Sequence, residues 1–219
     1  MINTQRKFPG TNRWKEGEEV LLTREPAAMQ ITSISRYIQD VVQGPWPEAE
    51  PFILESVIPN HIINYAKVAH PHGWPEGEKR LLEIGRPTDI ATYAAAILGG
   101  PWPDGEKAML KAFSDPRLLL YELATIATRI TEYLRFTDRG RWPEFEKLLL
   151  KRVYEKAGMP AAGKGIHAGN PLLMKLYDYA THVIKGRWPE VEPILEKVSR
   201  LKKMYDQMID SLESRPRSD

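Results

Sequence analysis

Apolar residues in this chain come in short bursts at helical spacing, separated every ten to fifteen residues by Pro, Gly and acidic residues. Phe52, Ile53 and Leu54 form one burst, and Leu81, Leu82 and Ile84 another. Ile194, Leu195, Val198, Leu201, Tyr205, Met208 and Leu212 keep helical register over a longer stretch. The pattern predicts many short helices. None of them is long enough to hold together alone in water, so they must bury their stripes against one another.

The bursts belong to a repeat. Six Trp residues occur, at 14, 46, 74, 102, 142 and 188, and each opens the same phrase. Pro follows Trp in all but the first copy, where Lys15 stands instead. The fourth residue after Trp is always Glu: Glu18, Glu50, Glu78, Glu106, Glu146 and Glu192. The seventh is always apolar: Leu21, Ile53, Leu81, Met109, Leu149 and Leu195. Nine residues before the last five Trp stands a Tyr: Tyr37, Tyr65, Tyr93, Tyr133 and Tyr179. Successive Trp lie 32, 28, 28, 40 and 46 residues apart, which sets a unit of about 28 residues, room for two short helices and two turns.

Each part of the unit has a physical reading. Thr32, Asn60 and Thr88, fourteen before Trp, are good N-cap types for the helix that carries Tyr. Gly44, Gly100, Gly140 and Gly186, two before Trp, suit the left-handed backbone that ends a helix. Trp before Pro should be extended and outside the helix, and Pro fits a helix start. The acidic residues that follow sit at the positive end of the helix dipole. Pro51 and Pro193, five after Trp, imply that regular helix begins late in those two copies. Trp, Tyr and the apolar seventh position read as core. The invariant Glu reads as a partly buried carboxylate that accepts hydrogen bonds from Trp-Pro turn groups of its own or a neighbouring repeat.

The expected architecture is all-α, a solenoid-like stack of about six short helix pairs. Residues 1–13 read as a flexible N-terminus, 14–213 as one helical repeat domain and 214–219 as a flexible tail. Insertions fall near 111–132 and 151–178. The first contains Ser114-Asp115-Pro116, a cap followed by Pro, and then one longer helix over 117–134. The second contains a Gly-rich loop at 158–171 that ends in another cap-and-Pro start, Asn170-Pro171. A long helix from Pro193 closes the array.

Composition narrows the function classes. Zero cysteines exclude a disulfide framework and any cysteine chemistry, and no apolar run is long enough for a membrane span. The N-terminal residues carry no secretory pattern, which implies a cytoplasmic protein. Net charge is only +2, yet residues 1–110 carry 11 basic and 14 acidic side chains, whereas 111–219 carry 20 and 15. Arg139, Arg141, Lys151 and Arg152 belong to this basic half, as do Lys164 and His167 of the Gly-rich loop. These six are the candidate binding residues. A phosphate held by loop N–H groups and Lys164 is one reading; a surface insertion is the plainer one. His70 and His72 lack a third ligand in sequence, and Asp178 and His182 share a helix face with no nucleophile. No catalytic residue, metal site or cofactor is expected.

The phrase Tyr179-Ala-Thr-His-Val-Ile-Lys-Gly-Arg-Trp-Pro-Glu-Val-Glu192 resembles a helical repeat of uncharacterised bacteriophage proteins, approximately Tyr-Ala-x-x-Val-Ile-Lys-Gly-Arg-Trp-Pro-Glu-x-Glu. The likeness spans about 14–195, and the copies at Trp142 and Trp188 are best; Trp74 departs from it with His72-Gly73. The resemblance implies a viral origin, hence the bacterial host cytoplasm, and an all-helical repeat fold, without a reaction. The expected function is a non-catalytic binding protein that engages a host protein in a takeover or anti-defence role. The alternatives are a nucleic-acid-binding or virion-associated structural protein, and a nucleotide-sequestering protein or enzyme built on the 158–171 loop.

Overall fold

In a computed structural model, residues 13–23, 27–84, 86–156 and 170–214 are described. The expected Gly-rich loop lies outside them, apart from its last two residues, and so do the proposed terminal tails, apart from Arg13 and Ser214. The described residues are helical, with no strand among them. The chain divides into two compact units, 1–99 and 100–219.

The first unit holds α1 (Lys15–Thr23), α2 (Ala27–Tyr37), α3 (Glu50–Glu55), α4 (Pro59–Ala69), α5 (Pro75–Ile84) and α6 (Pro87–Tyr93). Helix α4 is the centre of this unit and touches α2, α3, α5 and α6. Ile34, Ile53, Ile62, Tyr65, Trp46 and Trp74 are buried there. The second unit holds α7 (Pro103–Phe113), α8 (Leu120–Phe136), α9 (Pro143–Lys156), α10 (Pro171–Tyr179), α11 (Glu192–Leu195) and α12 (Ser199–Glu213). Helix α10 runs along α8 and meets α9 and α12, over a core that includes Leu123, Ile130, Phe145, Leu149, Leu176 and Ile194.

Pro explains where these helices start. Trp46 and Trp102 are extended (φ −134° and −123°), as the following Pro requires, and a helix begins at the Pro itself. Where no second Pro follows, the first turn closes as α: the Glu N–H donates to the Trp carbonyl four residues back, as from Glu106 to Trp102 at 2.8 Å. Pro51 has no N–H to give to the residue 47 carbonyl. The copy at Trp46 therefore opens with a 3₁₀ turn, Pro47–Ala49, and α3 starts at Glu50. The copy at Trp188 behaves alike, with a Val191-to-Trp188 bond and α11 starting at Glu192.

Several local expectations are corrected. Thr88 and Asn60 do not cap; they lie in the first turns of helices that begin one residue earlier, at Pro87 and Pro59, and Thr32 lies within α2. Pro at the first helical position settles the start because its missing N–H would be unpaired there anyway. Asn170 does cap α10, accepting from the Leu172 N–H at 2.9 Å. The helix expected from residue 117 begins at Leu120. Asp115 instead folds the chain into a turn, accepting from the Arg117 N–H at 2.9 Å. The closing helix is two, broken between Leu195 and Ser199.

The ends of the Tyr helices hold the largest surprise. Immediately after Tyr37, Tyr93 and Tyr179 the helix widens into a π turn, at Ile38–Val42, Ala94–Leu98 and Ala180–Ile184. Each π turn stops at a left-handed residue whose N–H donates five residues back: Gln43, Gly99 and Lys185. The left-handed position is thus three before Trp in these copies. It is two before only at Gly140, and one before at Gly73.

Candidate functional site

The repeated residues form one polar relay per repeat boundary. A Trp backbone N–H donates to the hydroxyl of the Tyr that belongs to the next repeat. The distances are 2.9 Å for Trp14 to Tyr37, 3.0 Å for Trp46 to Tyr65 and 2.8 Å for Trp74 to Tyr93 in the first unit. In the second they are 2.9 Å for Trp102 to Tyr133, 2.9 Å for Trp142 to Tyr179 and 2.6 Å for Trp188 to Tyr205. In five of the six, all but that of Tyr205, the hydroxyl then donates to the Glu four residues after that Trp, as from Tyr133 to Glu106 at 2.7 Å and from Tyr179 to Glu146 at 2.9 Å. Tyr205 is a sixth member that the nine-residue spacing to a following Trp could not reveal, because no Trp follows it.

A cation completes most relays. Arg13, Arg141 and Arg187, one residue before Trp, reach Glu18, Glu146 and Glu192. Where Pro takes that place, the nitrogen partner comes from the next repeat: the His70 imidazole Nε2 lies 2.9 Å from Glu50, and the Arg139 Nε 3.0 Å from Glu106. Both also meet the ring of their own repeat's Trp. His70 stacks on Trp74 with centroids 5.3 Å apart, and the Arg139 guanidinium sits 5.8 Å from the Trp142 ring. The invariant Glu is partly buried as expected. Besides the Arg of its own turn in the copies at Trp14, Trp142 and Trp188, it takes the next repeat's phenol in five copies.

The electrostatics follow from burial. Burial first, and the facing Glu after it, push the hydroxyls of Tyr65, Tyr93, Tyr133 and Tyr179 well above the ordinary phenol value. The hydrogen bonds from Arg13 hold the Glu18 carboxyl below its ordinary range against the opposing effect of burial.

Ring packing fixes the Trp. Tyr65 and Trp74 meet edge-on at 4.9 Å, and Tyr179 and Trp188 are tilted at 5.3 Å. Each of these Tyr therefore touches its own repeat's indole with its ring and bonds the previous repeat with its hydroxyl. Trp14 is the exception to the core reading: it is 65% exposed.

Four of the candidate binding residues are engaged internally. Arg139 and Arg141 serve the relays. Arg152 is 5% exposed, donating from Nε to the Phe113 carbonyl at 3.2 Å and from Nη1 to Glu155 at 3.0 Å. Lys151 lies 3.7 Å from Glu155. Lys164 and His167 lie outside the described residues. The structure brings Lys151, Arg152 and Lys156 to one cleft of about 510 Å³ beside Ser114 and Pro116, where α9 passes the C-terminal end of α7. Arg139 and Arg141 do not line it.

Two other pairs that the sequence singles out, around His61 and Asp178, make local contacts. His61 Nδ1 lies 2.9 Å from the Ser56 hydroxyl, which also accepts from the Ile58 N–H, so this pair fastens the turn before α4. Asp178 takes Lys175 at 2.8 Å, and with His182 it borders a recess of about 190 Å³ shared with Glu132 and Arg135. Among the described residues no three metal-ligating side chains converge, and no helix is long and apolar enough to cross a membrane. No family model, curated protein or solved structure matches this chain.

Proposed function

We propose that this protein is a non-catalytic helical-repeat scaffold that binds another protein, through the segment that departs from the repeat. The reading includes a solenoid-like stacking of the repeats and, from the resemblance of the 179–192 phrase, a phage-encoded chain acting on a bacterial host protein. One observation carries it. The repeated Trp, Tyr, Glu and Arg groups that look like chemistry serve one another inside the fold. By contrast, the nonrepeating 111–132 segment presents Arg117, Leu119 and Tyr121 outward, the last two 57% and 64% exposed. Arg and Tyr are the residue types that anchor protein interfaces, and a rigid helix start is a good place to hold them. The Arg117 side chain is itself oriented by Asp115, whose carboxyl it holds down at about 2.

The test uses the full chain as bait in bacterial lysate, followed by reconstitution with the recovered protein. The expected result is a stoichiometric complex that survives gel filtration and is lost in Leu119→Ser/Tyr121→Ser, with the unfolding midpoint of the variant unchanged. A complex indifferent to that double substitution overturns the assignment of the surface. Binding to nucleic acid alone, weakening steeply with salt, overturns the protein-partner reading.

A further inference from the structure

We propose that the cleft between the C-terminal end of α7 and the face of α9 is a binding site for a small phosphate ester of nucleoside-monophosphate size. Its volume of about 510 Å³ falls within the range of small-molecule sites and exceeds what a lone ion needs. Three cations line it, Lys151, Arg152 and Lys156, against a single carboxylate, Glu155. Leu148 and Pro116 supply an apolar wall, which a bare anion site would not require.

The cations differ in how they are held, and the difference is suited to recognition. Arg152 is buried and its guanidinium is fixed in plane by the Phe113 carbonyl on one side and Glu155 on the other. A planar, pre-set fork is the group that reads phosphate oxygens best, since little side-chain freedom is lost on binding. The two lysines flank it. Lys151 is 67% exposed and meets Glu155 at 3.7 Å, a loose contact, while the Lys156 ammonium lies 3.4 Å from the Pro116 carbonyl. Glu155 is shared by Lys151 and Arg152. It stands where an incoming anion would make the same contacts, so a ligand phosphate takes its place between those two cations. Asp115, the other acid near Arg152, is already occupied by Arg117 at 2.7 Å and leaves the cleft its net positive character.

Titration calorimetry on the full chain tests this with three probes: adenosine monophosphate, inorganic phosphate and a single-stranded oligonucleotide, each at about 50 and 200 mM salt. The expected order is saturable binding of the mononucleotide, weaker binding of phosphate, and no tighter binding of the oligonucleotide per strand. Lys151→Ala/Lys156→Ala, both at the surface, should weaken the mononucleotide about tenfold with the unfolding midpoint kept. Glu155→Gln should tighten it several-fold by releasing Lys151 and Arg152. No saturable binding in either the parent or Glu155→Gln overturns the proposal, as does an affinity unmoved by the double lysine substitution. An oligonucleotide that binds far more tightly than the mononucleotide overturns it in favour of a nucleic-acid surface.

Discussion

The Tyr179 hydroxyl stands 2.9 Å from the backbone nitrogen of Trp142, 37 residues earlier in the chain, and both groups are buried. It accepts that N–H and passes its own proton toward Glu146. Tyr179→Phe keeps the ring against Trp188 but leaves the Trp142 N–H with no acceptor. The cost expected is about 1–3 kcal/mol, the penalty of an orphaned buried donor. Tyr37→Phe should cost less, because the Trp14 N–H lies in an exposed setting where water can replace the phenol. Urea midpoints at constant slope measure both.

The same hydroxyls set an alkaline limit. Because burial raises the folded-state values of Tyr65, Tyr93, Tyr133 and Tyr179, their contribution is complete below the unfolded phenol value of about 10 and is lost as pH rises through the folded values. These four should ionise only as the chain unfolds. Absorbance of tyrosinate and circular dichroism, followed together upward from pH 9, should report them in one step. Smooth ionisation with helicity intact would contradict this.

Asp89 gives a signed prediction at the other end of the scale. It is buried near the start of α6, and burial raises its carboxyl value, with Arg86 opposing. A raised carboxylate value means that ionisation costs stability as pH climbs through it. Asp89→Asn should therefore stabilise at pH 7, and the gain should shrink toward zero as pH falls below the ordinary carboxylate value near 4. Thermal unfolding of both proteins across pH 3–8 checks the crossover.

Gly77 lies directly under an indole. A Cβ placed there stands 2.8 Å from Cδ2 of Trp74, whose ring is buried and cannot swing away. Gly77→Ala should cost about 1–3 kcal/mol as an overpacked core does. Gly17→Ala meets Trp14 still more closely, yet that ring is mostly exposed and can turn aside, so a smaller loss is expected. Differential scanning of the pair separates crowding from intrinsic helix preference, since both sites are first-turn glycines. In the copy at Trp46 the same slot already holds Ala49, in a first turn wound as 3₁₀.

The left-handed stops after the π turns are uneven. Gly99 occupies one at φ +61°, but Gln43 and Lys185 sit at +51° and +55° with side chains. Gln43→Gly and Lys185→Gly should each stabilise by about 1 kcal/mol, and Gly99→Ala should destabilise by a similar amount. Chemical denaturation of the three variants is the check.

The sequence makes the repeat, the all-helical class and the buried Trp and Tyr legible because each recurs at fixed spacing, and spacing survives in a one-dimensional record. It also makes the late helix starts at Pro51 and Pro193 legible, since a missing N–H is local chemistry. The π turns are not legible: Ile38–Val42, Ala94–Leu98 and Ala180–Ile184 share a preceding Tyr and aliphatic residues at their fourth and fifth positions, a pattern that the last turn of an ordinary α-helix carries equally well. Nor is the pairing of each phenol with the preceding repeat's Trp. Tyr lies nine residues from its own Trp but 17 to 37 from the one it bonds, and a variable interval leaves no periodic trace. The cleft at Lys151 and Arg152 shares this limit, because Ser114 and Pro116 come to it from about 40 residues away. The basic half of the chain was visible, but which of its charges face outward is a matter of which carboxylate stands nearby.

That variable interval has a consequence of its own. A fastening that joins a Trp turn to a phenol fixes two points in space without fixing the length of chain between them, which is 17 residues in one case and 37 in another. New sequence can therefore enter between one Trp-Pro helix and the next Tyr helix while the clasp stays shut, and those intervals are where the molecule has room to acquire a novel trade.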